Sequence, residues 1–498
     1  MQYRLKKLLG FLENKRIMYL VLIALCCSVL LVPQVVRFAF HGNLPIGSES
    51  YKDAVIAGEV INRVFPGTWS DSLPSCKGVA GPHHVLLAIF AYIMGIEFSM
   101  KLIPFLCGIL TFYLLYRFTE NRIVDNEMPS LFLLLLFSSP LFIYAFTVFN
   151  PFSLAIPLAL AGLLLVGKGR FGLIAALVLF GLMPFFGIDI MVTTALSLLV
   201  MALFSPKRKP YIYMFSSCAF FGVAYVLALV SLGSFSVEHS FHYQNLFQEN
   251  LVLFGAIIGF SVFMLILAGV GIVSVWKMKK RYYGIYCIML LLLIYSLFIN
   301  PLLKIPLTMF VSYFAFLGLV RLINMVWELK IIANLTLLTI TIGLLFTPIS
   351  YAINLVGSEP HEDMAAALSW LRQNSGSDEI VFSDYRNAYW IEYFSQRPAL
   401  LNPGNVIGEQ DNTPSALFND SLTLMKTRDY EESLEIMRRY SIRYILLDKK
   451  METYLYENNV AGLPFLLEST ETFKNVYSSS RISIWEVNLT SAEAIYET

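Results

Sequence analysis

Long apolar stretches, separated by short polar segments, dominate the first 358 positions of the chain. The first stretch runs from Ile17 to Val36, which is the length that an α-helix needs to cross a bilayer. The repetition of this pattern predicts about eleven transmembrane helices. Their predicted positions are near 17–37, 99–117, 129–147, 151–166, 171–187, 188–204, 211–232, 251–276, 284–299, 306–321 and 331–353.

Between the first two predicted spans, the pattern changes to that of a helix with one polar face. Apolar positions such as Val60 fall on one side of this segment, and charged positions such as Glu59 fall on the other. Such a helix lies in the membrane interface, and we predict it near 50–65. The next apolar run, GPHHVLLAIFAYIMGI, is too short to cross a bilayer. It predicts a re-entrant or interfacial segment on the same side.

After residue 356 the pattern becomes that of a soluble domain. Short stretches rich in β-branched and aromatic residues predict strands, and amphipathic stretches between them predict helices. The predicted strands are EIVFS, RYILLD, FKNVY and RISIWEV, and the predicted helices include EDMAAALSWLRQN and YEESLEIMRRY. We therefore predict a membrane domain at 1–356 and an α/β domain at 357–498, which is large enough for a core of its own.

Composition and charge agree with this division. The chain is 57% hydrophobic and 14% charged, which excludes an ordinary soluble protein. Up to residue 358 it carries 24 Lys and Arg against 13 Asp and Glu, and after that residue 12 against 22. The C-terminal domain is therefore acidic, and the basic footprint of a nucleic-acid-binding protein is absent from the sequence.

The basic residues of the membrane domain also predict its orientation. The loops that include the N-terminus carry 18 Lys and Arg, and the alternate loops carry six. The positive-inside rule places the first set in the cytoplasm. Because the predicted number of spans is odd, the C-terminal domain is expected to be extracytoplasmic.

Candidate chemistry is concentrated in the loops on the outer side, which contain all six histidines. Glu49 and Asp53 lie at the start of the predicted interfacial helix. Ser50-x-x-Asp53 is similar to a capping box, which favours Asp53 as a helix cap. Glu49 is either a solvated acid at a helix N-terminus or, if a second acid or an imidazole faces it, a functional group.

A second outer loop, SFSVEHSFHYQNLFQEN, carries Glu238, His239 and His242 without any Lys or Arg. This cluster either ligates a divalent cation or is ordinary loop polarity, and carboxylates suit Mg²⁺ or Mn²⁺ better than imidazoles do. Lys101 and Lys304 lie at the same outer level. Each either binds a lipid phosphate or anchors its helix at the interface.

The order of these parts resembles the GT-C membrane glycosyltransferases, and among them the catalytic subunit of the oligosaccharyltransferase and its prokaryotic relatives. Glu49 in GSESY matches the acid that these enzymes carry before the interfacial helix. SVEH resembles a motif of a later outer loop with one residue missing, and Glu238 matches the glutamate of that motif. Asp384 and Tyr385 in VFSDYRNAYW match a motif of the soluble domain that reads the acceptor peptide.

The sequence departs from the family pattern at four positions. Phe382 and Ser383 stand where two tryptophans are expected, and Arg386 stands for a glycine. Asn150 in VFNPFS, after the third span, stands for an aspartate of a second acidic motif. The first three departures bear on peptide recognition, and the last bears on metal binding.

The resemblance implies a polytopic α-helical membrane protein with a C-terminal extracytoplasmic α/β domain. It implies transfer of a sugar or glycan from a polyprenyl-phosphate-linked donor to an extracytoplasmic protein or glycan acceptor. The candidate site residues, by role, are Glu49 and Glu238 for catalysis, Lys304 and Lys101 for the donor phosphate, Asp384 and Tyr385 for the acceptor, and Glu49 and His239 for a metal ion such as Mg²⁺ or Mn²⁺.

Two other functions remain open from the sequence. A non-catalytic relative that binds a lipid-linked glycan or acts as a scaffold is favoured by Asn150 and by the missing tryptophans. A transporter is disfavoured, since transporters place polar groups at the bilayer midplane and carry internal repeats. Asp189 is the one candidate for such a polar group, and it also fits the outer end of a short span.

Overall fold

Helices make up almost all of the membrane part of the chain in the computed structural model. The residues that the structure describes are 15–64, 80–120, 128–166, 168–205, 208–231, 250–254, 256–298, 300–402, 416–457, 462–469 and 472–488. The helices up to the last apolar one are α1 (Lys15–His41), α2 (Ser48–Val64), α3 (Pro82–Met94), α4 (Ile96–Glu120), α5 (Met128–Phe137), α6 (Pro140–Thr147), α7 (Pro151–Leu165), α8 (Gly169–Leu182), α9 (Ile188–Phe204), α10 (Arg208–Ser231), α11 (Val262–Val275), α12 (Lys279–Phe298), α13 (Lys304–Asn324) and α14 (Lys330–Val356).

Six helices of the described residues are long and apolar enough to cross a membrane. The number is seven when α5 and α6, which meet at an angle of 70°, are counted as one broken span. Ser139 precedes Pro140 and has extended backbone, which ends α5 and allows the chain to turn. The predicted polytopic fold is confirmed, but the count of eleven spans is not.

Close approach of two glycines brings α11 and α13 together. A Cβ atom added at Gly271 would overlap the backbone oxygen of Phe314, and one added at Gly318 would overlap that of Leu267. Small residues at such crossings let two helix backbones pack directly against each other in a membrane protein. The backbones of α11 and α13 are therefore in direct contact at these two glycines.

The part after α14 alternates short helices with strands, as the sequence predicts. Its elements are α15 (Glu362–Asn374), β1 (Ile380–Phe382), α16 (Ala388–Trp390) with a π-helix (Ile391–Ser395), α17 (Ala416–Lys426), α18 (Tyr430–Arg439), β2 (Ile442–Asp448), α19 (Lys449–Glu457), α20 (Gly462–Ser469), β3 (Phe473–Ser478) and β4 (Ile482–Val487). The four strands form one sheet in the order β1-β2-β4-β3. β1 and β2 are parallel, and the other two pairs are antiparallel.

The two faces of this sheet belong to different cores. Ile445 and Leu447 of β2 pack with the helices of the C-terminal part. Tyr444 and Leu446, on the opposite face, belong to a core that continues into the membrane helices. Alternation of side chains along a strand produces this division. The sheet consequently rests on the end of the helical bundle where α2 lies.

Candidate active site at the end of the first span

Arg37 fixes the chain where α1 ends. Its side chain is fully buried and donates only to backbone oxygens. The acceptors, at 2.7–3.2 Å, are the carbonyl oxygens of Leu44, Pro45, Val356, Ser358 and Pro360. The first two belong to the loop that leads into α2, and the other three belong to the connection from α14 to α15. One guanidinium therefore holds three segments of the chain in register.

The helix that carries Glu49 begins earlier than the sequence suggested. α2 starts at Ser48, so that Glu49 lies in its first turn and Asp53 in its second. Ser50 Oγ donates to the backbone oxygen of Ile46 at 3.0 Å. The interpretation of Asp53 as a helix cap is therefore wrong, because Asp53 lies in the second turn, beyond the N-terminal positions from which a side chain reaches the free N–H groups. Asp53 is instead buried, and Glu49 is partly exposed.

The start of α2 meets the turn between α6 and α7, where the second acidic motif was expected. The backbone N–H of Phe149 donates to Ser50 Oγ at 3.0 Å. Tyr144, buried in α6, lies within electrostatic reach of both Glu49 and Asp53. The two segments that the resemblance assigned to one site are thus neighbours in space.

Asn150 has a structural role in this turn. Its side-chain nitrogen donates to the oxygens of Ala145 (3.1 Å) and Val148 (2.7 Å), and its side-chain oxygen accepts from the N–H of Ser153 (3.1 Å). The residue is fully buried and caps α7. Its oxygen and nitrogen are both engaged with the backbone, so Asn150 stabilises the turn rather than ligating an ion.

Asp53 pairs with two histidines that begin α3. His84 Nε2 lies 3.1 Å from Asp53 Oδ1, and His83 Nε2 lies 3.9 Å from the same atom. The two imidazole rings are 3.8 Å apart, and all three side chains are buried. This carboxylate–imidazole cluster joins α2 to α3 directly beside Glu49.

A backbone group determines where the proton of His84 lies. The N–H of Gly81 donates to His84 Nδ1 at 2.9 Å, so the neutral ring carries its proton on Nε2 and donates it to Asp53. Burial is the main cause that lowers the pKa of both histidines to about 3. Lys52 lowers both pKa values further, and His84 also lowers that of His83. Both imidazoles are therefore neutral at pH 7.

Gly81 has to be a glycine at this position. A Cβ atom there would collide with the backbone oxygen of Phe185 and crowd the His83 ring. The absence of a side chain lets the start of α3 approach the turn after α8 closely. The position of His84 therefore depends on this contact.

The cluster has the spacing of a metal site. One ligand atom from each of Asp53, His83 and His84 lies within 4.8 Å of the others. Two imidazoles and one carboxylate are typical ligands of zinc, whereas Mg²⁺ prefers oxygen ligands. A cation at His84 Nε2 has to replace the proton that this nitrogen donates to Asp53, and the ring then can no longer accept from Gly81. The residues fit a zinc-type ion at the cost of that hydrogen bond.

The two candidate phosphate lysines occupy different surroundings. Lys101 Nζ donates to the backbone oxygen (2.7 Å) and side-chain oxygen (2.8 Å) of Asn43, in the loop that leads to Glu49. Lys304 is buried, and its Nζ donates to the backbone oxygen of Ile258 at 3.1 Å. Lys101, which is partly exposed, is thus linked to the Glu49 loop, and Lys304 is linked to another segment.

Asp384 and Tyr385 lie in the C-terminal part, on the segment that contacts α2. Asp384 begins a 3₁₀ turn just after β1, and Arg386 bonds to its carboxylate. The chain then enters α16, where Lys52 Nζ lies 5.8 Å from the centre of the Tyr389 ring. The predicted acceptor residues thus lie on the segment that leads into α16, which contacts α2.

Three predicted or discussed residues fall outside the described part of the chain, namely Glu238, His239 and His242. Their roles stay predictions. Asp189 lies in the first turn of α9, where Tyr295 and Asn300 donate to its two carboxylate oxygens. These partners satisfy it at the end of a short helix.

The sequence predicts Glu49 as a site residue but does not predict the Asp53–His84 pair that the structure shows. An acid one turn after Glu49 and a His-His pair at the start of an apolar helix were the available signals. The sequence does not link these two signals, because a helix cap is the simpler interpretation of Asp53 and because Asp53 and His84 lie 31 residues apart.

Solved membrane glycosyltransferases have the same architecture. The oligosaccharyltransferase AglB of Archaeoglobus fulgidus, in complex with an inhibitory peptide and a dolichol-phosphate, aligns with a TM-score of 0.62 at 14% identity, covering 93% of this chain and 73% of its own. ArnT of Cupriavidus metallidurans, bound to undecaprenyl phosphate, aligns with a TM-score of 0.52 at 12% identity over 95% and 98%. The arabinofuranosyltransferase AftD from Mycobacteria aligns with a TM-score of 0.53 at 14% identity over 93% and 41%.

An Archaeoglobus fulgidus oligosaccharyltransferase in complex with Zn and sulfate aligns with a TM-score of 0.59 at 13% identity, over 94% of this chain and 73% of its own. No protein-family model and no curated protein match the sequence. At these identities the alignments establish the fold, over more than nine tenths of the chain. The resemblance drawn from the sequence is confirmed at this level: the chain has the fold of the GT-C membrane glycosyltransferases.

Proposed function

We propose that the chain is a membrane-embedded glycosyltransferase that moves a sugar or glycan from a polyprenyl-phosphate-linked donor to an extracytoplasmic acceptor. The observation that carries the proposal is the position of Glu49. In a chain with the GT-C fold, it lies partly exposed in the first turn of α2, next to Ser50, which bonds to the turn between α6 and α7. In this proposal the N-terminus is cytoplasmic, and the C-terminal part and the site lie on the extracytoplasmic side of the membrane.

Glu49 is the general base in this proposal. It accepts the proton of the acceptor hydroxyl while the acceptor oxygen forms a bond to the anomeric carbon. The bond between that carbon and the phosphate oxygen breaks, and polyprenyl phosphate leaves. A positioned carboxylate that removes this proton contributes roughly 10²–10⁴-fold to the rate.

Lys101 is the better of the two candidates for the leaving phosphate. It is partly exposed and already bonded to the loop that leads to Glu49, whereas Lys304 is buried against Ile258. An ammonium group beside the phosphate stabilises the charge that develops there. Asp384 and Tyr385 are proposed to bind the acceptor, and Glu238 remains a candidate second acid.

A transfer assay on the full chain in lipid nanodiscs tests the role of Glu49. Native mass spectra are recorded with a panel of polyprenyl-phosphate sugars, first alone and then with an acceptor mixture. We expect wild type to bind and consume a donor, and Glu49→Gln to bind it but to transfer at least about 10²-fold more slowly. Glu59→Gln, on the same helix, is the matched control and should retain transfer.

Equal rates in wild type and Glu49→Gln would remove Glu49 from the mechanism. A donor that binds to wild type but is never consumed would favour the non-catalytic relative that the sequence left open, since Asn150 gives the site no second acid at that position.

We also propose that Asp53, His83 and His84 hold a zinc-type ion, in preference to Mg²⁺ or Mn²⁺. Bound there, the ion would supply positive charge beside Glu49 for the departing phosphate. Plasma mass spectrometry of the protein purified without chelator should give close to one zinc per chain, and Asp53→Asn combined with His83→Ala should abolish it. Zinc equally abundant in this variant and in wild type would contradict the site, whatever the activity.

A further inference from the structure

Asp384 and Arg386 form an ion pair at the carboxyl ends of two parallel strands. Asp384 comes two residues after β1, and Asp448 is the last residue of β2. Because β1 and β2 are parallel neighbours, both residues lie at the same edge of the sheet. Ligands of sheets with parallel strands bind at this edge. None of the roles proposed above uses Arg386.

The hydrogen bonds of the pair leave it with a definite set of unused groups. Asp384 Oδ1 accepts from the backbone N–H and from Nε of Arg386, both at 2.9 Å, and Oδ2 accepts from Nη2 at 2.7 Å. A guanidinium has five N–H groups, so three on Nη1 and Nη2 have no acceptor among the described residues and remain for a ligand. The Arg386 side chain is 60% exposed and that of Asp384 is 15% exposed. The pair therefore presents a fixed, accessible fork of donors.

Charge determines which ligand this fork favours. Asp384 neutralises Arg386, and the nearby Asp448, which also acts electrostatically on Arg386, makes the cluster negative. An anionic ligand gains little there. Asn387 donates to Asp448 Oδ2 at 2.6 Å and to Ser383 Oγ at 3.0 Å, which holds the Asp448 carboxylate in place beside the pair. A neutral ligand with several adjacent oxygen acceptors fits the remaining donors.

The position of the pair connects it with the proposed reaction centre. Two residues after Arg386 the chain enters α16, which packs against α2. Tyr51 of α2 and Tyr393 of the following π-helix are in edge-to-face contact, with ring centres 5.0 Å apart. A ligand held by Arg386 is thus bound by the segment that contacts the helix of Glu49.

We propose that Asp384 and Arg386 bind a neutral, hydroxyl-rich saccharide as the acceptor, and that Arg386 selects it over a peptide. Neighbouring hydroxyl oxygens of a sugar accept from the fork in pairs, and the part-exposed Tyr385 adjoins them. A peptide that has to donate a hydrogen bond to the carboxylate of Asp384 competes with Arg386, which already donates to both carboxylate oxygens. The role of the saccharide as an acceptor rests on the proposed function, whereas its binding to Arg386 does not.

Saturation-transfer-difference NMR on the full chain in nanodiscs tests the proposal without donor or turnover. The probes are methyl α-mannoside, methyl β-galactoside, cellotriose and the capped peptide acetyl-Asn-Val-Thr-amide. We expect at least one saccharide to bind and the peptide to give no signal. Arg386→Gln and Arg386→Lys should each weaken the saccharide about tenfold or more, because neither side chain reproduces the planar fork.

Arg439→Gln is the matched control, since Arg439 is also exposed and paired with carboxylates, those of Asp420 and Glu435, but lies on α18. It should leave saccharide binding unchanged. Peptide binding to wild type without any saccharide binding would overturn the proposal, as would saccharide binding that Arg386→Gln leaves intact. If a saccharide binds through Arg386 but the chain transfers no sugar, the proposed function is contradicted and the saccharide-binding proposal stands.

Discussion

At the scale of single residues, two buried polar side chains near the candidate site are held by backbone groups rather than by opposite charges. Arg37 donates to carbonyl oxygens, and Asn150 bonds to three backbone groups. A buried polar group that loses its partner costs about 1–3 kcal/mol. The identity of each such residue is therefore determined by the number and direction of its donors and acceptors.

Asn150→Asp tests this reasoning against the family pattern. The substitution restores the acid that the pattern expects, but a carboxylate cannot donate to the oxygens of Ala145 and Val148, which its oxygens then face. We expect the free energy of unfolding to fall by about 1–3 kcal/mol, measured as a lower Tm in nanodiscs, with no gain in bound metal.

Gln373→Glu, the same chemical change at an exposed position of α15, is the control and should leave the Tm nearly unchanged. A stable Asn150→Asp variant that binds an additional metal ion would show that the turn adapts and that the position is a ligand site after all.

The residue types of the site could be predicted from the sequence, but their pairing could not. Glu49 was identified because its local segment resembles the family motif. Asp53 and His84 were not paired, because their contact depends on how α2 and α3 lie against each other. Arg386 was noted only as a missing glycine, although its hydrogen bonds to Asp384 are local and follow from a spacing of two residues.

At the scale of elements, apolar length alone does not fix the number of spans. Six helices of the described residues, or seven with the broken span, are long and apolar enough to cross, whereas the sequence predicts eleven. Several apolar runs end early at a proline or a polar residue and form helices too short to cross by themselves, such as α7 and α9. The bend between α5 and α6 divides one predicted span in two. The sequence shows how apolar a segment is, whereas crossing depends on where its helix ends and how it packs.

The glycine contact between α11 and α13 gives a prediction at this scale. Gly271→Ala or Gly318→Ala places a methyl group against a backbone oxygen of the facing helix, so the helices must separate. We expect each to lower the free energy of unfolding by about 1–3 kcal/mol, seen as a reduced Tm. Gly269→Ala, also on α11, meets nothing within 4 Å and should be neutral or slightly stabilising. Equal effects at positions 269 and 271 would contradict direct backbone packing.

At the scale of the whole molecule, the C-terminal part and the helical bundle share a core. The sequence correctly predicted an α/β arrangement, but it suggested a domain with a core of its own. Only one face of the sheet has such a core, and the other continues into the membrane helices. The continuous apolar run within RYILLD makes both faces of the strand apolar. This pattern does not show which part of the chain covers each face.

Acidity should loosen this junction through His361. The His361 and His41 rings are 5.3 Å apart, and burial, followed by electrostatic interactions with Arg481, His41, Arg37 and Lys450, lowers the pKa of His361 to about 4. The unfolded chain binds a proton near pH 6.5, and the folded chain binds it only near pH 4. The stability that neutral His361 contributes is therefore complete above pH 6.5 and is lost as the pH falls from there through 4.

His361→Gln measures this contribution. Because His361 is partly exposed, solvent screening reduces it to about 1 kcal/mol. Thermal unfolding in nanodiscs between pH 7.5 and pH 4 should show wild type losing about 1–2 °C more in Tm than the variant. Parallel pH profiles for the two proteins would exclude His361 as the titrating group.

Arg37 has a consequence for how the protein is made. Three of its five carbonyl acceptors lie 319, 321 and 323 residues further along the chain. During synthesis the end of the first span is therefore in place long before the groups that satisfy its guanidinium exist. The loop that leads to Glu49 gains its complete set of contacts with Arg37 only after α14 has been inserted and the residues behind it have left the ribosome. A nascent chain thus lacks the finished form of the proposed reaction centre until its C-terminal part has been synthesised.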